Sequence, residues 1–227
     1  MERKEAIRGA YRMTGGNSLY DGMITCSTLS GKAVCRLVWA MNKAENDAYL
    51  EEAMSGIPEH FFGKLLEVPV GTGILTMPVY QTMPEADITC LDYSPDMMRQ
   101  AREKADRLHL KNVTFRQGDV GALAYADDTF DIVLSLNGFH AFPNKEAAYR
   151  EVFRVLRPGG TFCRCFYVMG EHKRTDWFVR HVYEKAVFFT PPYETVSSLK
   201  ARLDGMYTDV DMGNLKSMAW FVCRKAG

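Results

Sequence analysis

Short apolar runs recur through the middle of the chain, and amphipathic segments separate them. The runs that predict strands cover 65–68, 88–91, 112–118, 129–136 and 161–168. The run at 129–136 is apolar enough to be buried on both faces, which is typical of a parallel strand. Strands that alternate with helices indicate the α/β class with one mostly parallel sheet.

Helix signals fall between these runs. Ser94 followed by Pro95 is typical of a helix start, and this helix is expected to reach about Leu108. Asn144 is a second N-cap, and residues 157–160 (RPGG) are a strong stop signal. The other expected elements are helices over 32–41, 47–54, 176–189 and 194–203 (ended by Gly205), a polar loop at 171–174, and strands over 207–212 and 217–224 joined through Gly213 and Asn214.

A glycine turn follows the first apolar run and an acid ends the second, and the two features form one sequence signal. Gly71-Thr72-Gly73 follows the first strand, and Asp92 ends the second. Such a pair is half of a nucleotide-binding sheet, because the turn approaches an anionic group at a helix N-terminus and the acid accepts ribose hydroxyls. A dinucleotide site needs a small residue where this chain has Thr76, so an NAD(P)-dependent oxidoreductase is the weaker alternative.

A family resemblance rests on four ordered segments: LEVPVGTG, CLDYSPDMMRQAREKA, FRQGDVGALAYADDTFDIVLS and NKEAAYREVFRVLRPGG. Over residues 64–168 the chain resembles the class I S-adenosylmethionine (SAM)-dependent methyltransferases. It is most similar to the small-molecule group that includes quinone and sterol C-methyltransferases. The resemblance implies a Rossmann-like, seven-stranded, mostly parallel sheet with a C-terminal antiparallel hairpin and helices on both faces. It also implies an N-terminal helical cap or lid over 1–62 and a SAM-binding unit over 63–227, in one compact whole.

The same resemblance carries cofactor roles onto matching positions. Glu67 and the turn from Gly71 to Gly73 would lie under the methionine part of SAM. Asp92 would bind the ribose, and Tyr20 would help to close the pocket. Asp119 and the backbone of Val120 would read the adenine edge. The implied cofactor contacts, of which Tyr93 and Met97 would flank the adenine, are Tyr20, Glu67, Val68, Pro69, Gly71, Thr72, Gly73, Asp92, Tyr93, Ser94, Met97, Gly118, Asp119, Val120 and Asn137.

One position departs from the family pattern. The family usually has glycine where this chain has Pro69. Proline removes a backbone donor and fixes φ, and it favours an extended Val68, which suits the end of a strand. We expect the proline to be tolerated, although it keeps open a second alternative, a SAM-binding regulator without catalysis.

Methyl transfer from SAM to a small acceptor needs few protein groups. The enzyme must align the nucleophile with the sulfur–methyl bond and exclude water, and a base is needed only where the acceptor loses a proton. His140 is the candidate base or substrate contact, because it follows the carboxyl end of the fourth strand, where ligands bind in such sheets. A purely structural histidine is the other interpretation. Phe139 and Phe142 are expected to line the substrate pocket, while His172 and His181 are weaker candidates.

Charge and composition limit the kinds of partner that are expected. The 28 basic and 28 acidic residues cancel, so no global field favours nucleic acid. Arg99, Arg102, Lys104 and Arg107 alternate with acids and are expected to form a solvated, salt-bridged helix face. The expected partner is an apolar or aromatic small molecule that becomes methylated as SAM becomes S-adenosylhomocysteine, and a homodimer is possible.

The N-terminus and the cysteines bear on location. The start is charged, and no run is long enough for a signal peptide or a membrane span, so a cytoplasmic protein is expected. Most of the six cysteines fall in predicted elements, where free cysteine behaves as a small buried hydrophobe. Cys163 and Cys165 share one face of a strand, but no second pair has zinc-ligand spacing, so no metal site is expected.

Overall fold

A seven-stranded sheet runs through the computed structural model, which describes residues 19–227. Its strands are β1 (Lys64–Glu67), β2 (Asp87–Asp92), β3 (Val113–Gln117), β4 (Phe130–Leu136), β5 (Leu156–Tyr167), β6 (Asp209–Leu215) and β7 (Met218–Arg224). The order is β3-β2-β1-β4-β5-β7-β6. The first five strands are parallel, and β7 pairs antiparallel with β5 and β6, so the predicted sheet and terminal hairpin are confirmed.

Helices cover both faces of the sheet. They are α1 (Leu19–Ile24), α2 (Leu29–Leu37), α3 (Lys43–Ala53), α4 (Met77–Tyr80), α5 (Pro95–Arg107), α6 (Lys145–Val155), α7 (Lys173–Phe178), a π-helical turn (Val179–Tyr183) and α8 (Val196–Met206). The two predicted N-caps are confirmed, since Ser94 accepts from the Met97 amide and Asn144 from the Ala147 amide. Among residues 19–227, none of the helices has the length and apolar content that crossing a bilayer requires.

Alternate residues of each central strand enter different cores. Leu65, Ile132 and Cys163 belong to one core, whereas Leu66 and Val133 belong to the core on the opposite face. The strands are therefore buried on both sides, as the apolar runs predicted. Because β1 lies between β2 and β4, the crevice outside the carboxyl ends of these strands is the topological switch point.

The single helix predicted over 176–189 is wrong. Helix α7 ends at Phe178, continues as the π-helical turn to Tyr183 and then breaks into turns. The break lets the Tyr183 and Phe189 rings both pack against Trp39, with centroids 5.8 and 6.1 Å away. A straight helix would place residues six positions apart on different faces.

Two C-terminal boundaries also differ from the prediction. Gly205 lies inside α8 rather than at its end. Gly213 and Asn214 lie within β6, and the turn falls on Lys216 and the residue after it. A Cβ on Gly213 would lie 2.8 Å from the Trp220 ring, so the glycine makes room for a cross-strand tryptophan rather than for a turn.

The cysteine prediction is partly wrong. Cys26 and Cys35 form a disulfide that joins the end of α1 to α2. The other four cysteines are free and buried, as expected: Cys90, Cys163, Cys165 and Cys223. Disulfides are uncommon in reducing compartments, so a cytoplasmic protein was expected to have free cysteines at these two positions.

Candidate active site

The turn Gly71-Thr72-Gly73 forms the floor of a small cavity at the switch point. Gly71 and Gly73 have φ angles of 56° and 67°, which glycine adopts without strain. A Cβ on Gly71 would meet no atom within 4 Å, so the backbone of this residue faces open space. We call this space the glycine-turn cavity; it is lined by Tyr20, Ile24, Glu67, Pro69, residues 70–76, Leu136 and Asn137.

Asp92 lies beside the turn, at the end of β2. Its carboxylate accepts hydrogen bonds from the amides of Gly71 and Ser94, both at 2.8 Å. Desolvation raises the pKa of Asp92, while these amide donors oppose the rise. A carboxylate has about four acceptor positions, so this one retains capacity for further donors such as ribose hydroxyls.

Glu67, at the end of β1, is buried and neutral. It accepts hydrogen bonds from the Tyr80 hydroxyl at 2.8 Å and from the Cys90 thiol at 3.5 Å. Burial raises its pKa to about 8, although those donors favour the ionised form. Glu67 therefore borders the glycine-turn cavity as a protonated acid at neutral pH.

Pro69 fits because the chain has left the ladder at that point. The amides on either side remain bonded, from Val68 to the Leu134 carbonyl and from Val70 to the Leu91 carbonyl, both at 2.9 Å. No donor is missing at the proline itself, since β1 ends at Glu67.

The residues assigned to adenine differ in their exposure. Tyr93 is 77% exposed, and Ser94 caps α5. Asp119 is also exposed, and its carboxylate accepts from the Gly121 amide at 2.7 Å. Val120 is buried in the core below, while Gly118 donates its amide to the Asp92 carbonyl. Met97 lines a different, larger cavity.

The α1 segment is fastened to the turn by a buried network that the sequence did not predict. Asp21 accepts a 2.5 Å hydrogen bond from the Thr72 hydroxyl and pairs with the Lys104 ammonium at 3.0 Å. Lys104 is 5% exposed, so the solvated face predicted for it is wrong, although Arg99 does pair with Glu103 in solvent. The position of Lys104 in the sequence could have indicated its burial. It lies three residues after buried Ala101, on the apolar face of α5.

Tyr20 precedes this network and lines both cavities of the site. Although Tyr20 is 38% exposed, desolvation of its phenol within the cavity wall, with the nearby Asp92 and Asp21 carboxylates, raises the pKa to about 12. The side chain therefore stays neutral over the glycine turn.

The larger cavity adjoins the first and has a volume of about 320 Å³. We call it the aromatic cavity; its lining is Tyr20, Met23, Ile24, Cys35, Trp39, Met41, Asn46, Tyr49, Met97, Asn137, His140, Ala141, Tyr183, Phe188, Phe189 and Met218. None of these described lining residues carries a full charge, because burial lowers the pKa of His140. Tyr20, Ile24 and Asn137 are shared with the glycine-turn cavity.

His140 is a neutral side chain in the wall of the aromatic cavity. Its Nδ1 accepts the Tyr167 amide at 3.5 Å, and its ring stacks on Phe189 with centroids 3.8 Å apart. Burial, with help from the Lys145 and Arg164 charges, lowers its pKa to about 3. Because Nδ1 accepts, the neutral ring carries its proton on Nε2, which makes His140 a hydrogen-bond donor and a weak base.

The other predicted substrate residues lie elsewhere, so their assignment to the pocket is corrected. Phe139 and Phe142 line neither cavity. Phe139 is buried in the core against Tyr149, and the partly buried Phe142 packs on Phe139. His172 caps α7, and His181 stacks on an exposed tryptophan. The chain after β4 turns toward the core that α6 covers. The periodicity of the sequence alone does not reveal this direction.

Arg164 shares this core and has an unusual environment. It is fully buried in β5, and its guanidinium lies 3.6 and 3.8 Å from the Phe139 and Phe166 ring centroids. None of its side-chain nitrogens makes a hydrogen bond of ordinary geometry with the described residues, and Tyr149 interacts with it only more loosely. Desolvation lowers its pKa, while nearby tyrosines oppose the shift.

Comparison with known proteins agrees with this geometry. A family model described as "Methyltransferase domain" matches residues 63–208. The chloroplastic 2-methyl-6-phytyl-1,4-hydroquinone methyltransferase 2 of Oryza sativa subsp. japonica is 31% identical over 60% of this chain and 37% of its own length. Demethylmenaquinone methyltransferase of Thermus thermophilus is 37% identical over 43% of this chain and 44% of its own. The chain thus spans less than half the length of these curated relatives.

A solved structure shows the same fold. Phosphoethanolamine N-methyltransferase 2 of Haemonchus contortus, in complex with S-adenosyl-L-methionine, has a TM-score of 0.65 over 94% of this chain and 61% of its own. Its sequence identity of 15% supports the architecture alone.

Proposed function

Because this chain belongs to the class I SAM-dependent methyltransferases, we propose that it transfers a methyl group from SAM to a neutral aromatic acceptor of the phenol or hydroquinone type. The observation that carries this proposal is the shared wall between the two cavities. Tyr20, Ile24 and Asn137 border both, so a donor over the glycine turn and an acceptor in the aromatic cavity would meet there.

The residues at the glycine turn suit the cofactor. Gly71 leaves its backbone open toward the cavity, and Asp92 keeps acceptor positions for the ribose. The enclosed part of the cavity is about 50 Å³, which is too small for the whole cofactor. We therefore place the adenosine along Asp92 and the exposed Tyr93 and Asp119, outside the enclosed part.

The cofactor supplies an activated methyl group and its own leaving group. The protein then has to hold the acceptor in line and exclude water. Trp39 and Phe189 supply apolar walls for this purpose, and Asn137 is a polar group at the junction. His140, as a neutral donor, would orient an acceptor oxygen rather than remove its proton.

The lining favours a neutral acceptor over a charged one. The aromatic cavity presents no Asp, Glu, Lys or Arg side chain among its described residues, so an ammonium or phosphate group would lose its hydration without a counter-charge. Its volume of about 320 Å³ is at the small end of ordinary ligand sites, which suits one or two rings.

The proposal is tested with SAM labelled in its methyl group. We expect label in short-chain hydroquinones or phenols, and little in amines or phosphate esters of similar size. Asn137→Ala should lower turnover, whereas Lys111→Ala, at the far edge of the sheet, should not change it. Transfer to charged acceptors alone would contradict the proposal.

Pro69 favours one other candidate, a SAM-binding regulator, since the family has glycine there. That function predicts saturable cofactor binding without methyl transfer to any acceptor class.

A further inference from the structure

An exposed face beside the aromatic cavity combines apolar and basic side chains. Trp177 is 52% exposed, Val187 82% and Phe188 63%. We call it the basic-aromatic face and define it by its exposed members, Lys32, Arg36, Leu37, Lys173, Arg174, Trp177, Arg180, Val182, Lys185, Val187 and Phe188. Large exposed apolar groups that cluster in this way mark interaction sites.

The face is continuous across two elements far apart in sequence. The Arg174 guanidinium donates to the Arg36 carbonyl at 2.9 Å, and the Thr175 hydroxyl donates to the Val38 carbonyl at 2.6 Å. The last turn of α2 therefore packs on the first turn of α7. Their exposed residues, including Leu37 and Trp177, lie next to this contact.

The basic residues of this face are not neutralised within the described part of the chain. None of its six Lys and Arg residues forms an ion pair there. Three acids lie on the same elements and just before them, namely Glu171, Asp176, which accepts from the Tyr167 hydroxyl and the Gly170 amide, and half-buried Glu184, so the six cations outnumber the acids. Glu171 is the exposed acid at the start of α7. The face thus carries excess positive charge in a chain whose overall charge is zero.

We propose that the basic-aromatic face docks on an anionic lipid surface. Tryptophan and other apolar groups enter the headgroup region while Lys and Arg attract the negative surface, and both are present here. The segment that carries the face also contributes Tyr183 and Phe188 to the aromatic cavity. A lipid-dissolved acceptor would then enter from the membrane side; this last step rests on the proposed function, whereas docking does not.

Charge disfavours two other occupants of the basic-aromatic face, namely residues 1–18 of the chain and a second copy of it. Residues 1–18 contain four basic residues and two acids, so this segment is itself positive. A second copy would place the same cations against each other across a two-fold axis. Phosphatidylglycerol and phosphatidylserine, whose headgroups carry a net negative charge, offer the opposite charge.

The test is flotation of the full chain with vesicles, without SAM, so that its outcome is independent of catalysis. We expect binding to vesicles of phosphatidylcholine with one quarter phosphatidylglycerol, weaker binding at high salt, and little binding to pure phosphatidylcholine. Arg180→Glu with Lys185→Glu should lower the partition coefficient about 30-fold or more. The matched control is Lys111→Glu, just before β3, combined with Arg116→Glu, within β3. It makes the same charge change elsewhere on the surface, and this variant should bind nearly as the parent chain does.

A second readout locates the contact. Lipids brominated on their acyl chains should quench tryptophan fluorescence, and Trp177→Phe should remove most of that quenching while binding persists. Val187→Ser should weaken binding without altering the fold, as checked by circular dichroism. Equal binding to both vesicle types, equal loss in both charge variants, or no vesicle binding at all would overturn the proposal, and a concentration-dependent dimer that involves this face would identify a second copy as its occupant.

Discussion

The Asp21 carboxylate accepts a 2.5 Å hydrogen bond from the Thr72 hydroxyl, which fastens the N-terminal cap directly to the glycine turn. Its other oxygen pairs with buried Lys104 on α5. One carboxylate thus joins the cap, the turn and the helix after β2. The α1 segment is therefore held directly against the wall of the glycine-turn cavity.

Asp21→Ala should destabilise the chain strongly, because it leaves the Lys104 charge buried without its partner. Breaking such a pair typically costs about 3–5 kcal/mol in the free energy of unfolding. Urea denaturation measures the loss, and Lys104→Met on the Asp21→Ala background should recover much of it. Additive losses in the double variant would show that the two residues are not coupled.

Gly138→Ala should be poorly tolerated because of Pro69. A Cβ on Gly138 would lie 2.2 Å from the proline Cδ, so one of the two loops must move. Overpacking of this kind costs about 1–3 kcal/mol. Pro69→Gly should relieve most of that cost in the double variant, as thermal unfolding of the four chains will show; an unrelieved cost would place the clash elsewhere.

Glu67 predicts a specific pH dependence of stability. Burial raises the pKa of its carboxyl from an ordinary value of 4.5, which applies to the unfolded chain, to about 8 in the folded state. The folded state then binds the extra proton, so this contribution is complete below pH 4.5 and is lost as the pH rises toward 8. The slope is about 1 kcal/mol per pH unit between those limits.

Glu67→Gln should remove this slope while keeping an acceptor for the Tyr80 hydroxyl. Denaturation of both chains at several pH values between 5 and 8 measures the difference. Parallel curves would mean that Glu67 titrates alike in both states.

Arg164→Met should raise the free energy of unfolding by about 1–4 kcal/mol. The buried guanidinium has lost its water without gaining a hydrogen bond of ordinary geometry with the described residues. Of the described rings, only those of Phe139 and Phe166 lie within 4 Å of the guanidinium, at 3.6 and 3.8 Å, and attractions of several rings to one cation do not add in full. A desolvated ring contact contributes about 2 kcal/mol. We expect the desolvation cost of several kcal/mol to exceed this gain. Chemical denaturation decides the sign, with Arg164→Lys as a control that keeps the charge; a less stable methionine variant would show that the rings stabilise the cation.

The sheet was predictable from the sequence because its signals are local. Apolar runs marked the strands, and Ser94 and Asn144 marked helix starts. The α7 region was not predictable, because packing around Trp39 overrides its helical pattern. Lys104 was misassigned for a similar reason, since its partner Asp21 lies 83 positions away in the chain.

The site was predicted unevenly. The Gly71–Gly73 turn and Asp92 do lie together, because carboxyl ends of adjacent parallel strands meet at one edge. Phe139 was assigned to the pocket because it follows β4, but the direction of its side chain depends on the turn at Asn137, whose φ is 54°. Neither that angle nor the depressed pKa of His140 is encoded in residue spacing.

Recognition of the cofactor at the glycine turn and Asp92 is the property on which the proposed methyl transfer depends most directly. Calorimetric titration with S-adenosylhomocysteine should show saturable binding, and Asp92→Ala should weaken it by about 1.5–3 kcal/mol, the usual worth of a hydrogen bond to a charged group. NADH, titrated as the control, should not bind. Absence of S-adenosylhomocysteine binding, or saturation by NADH in its place, would contradict the assignment of this site to SAM.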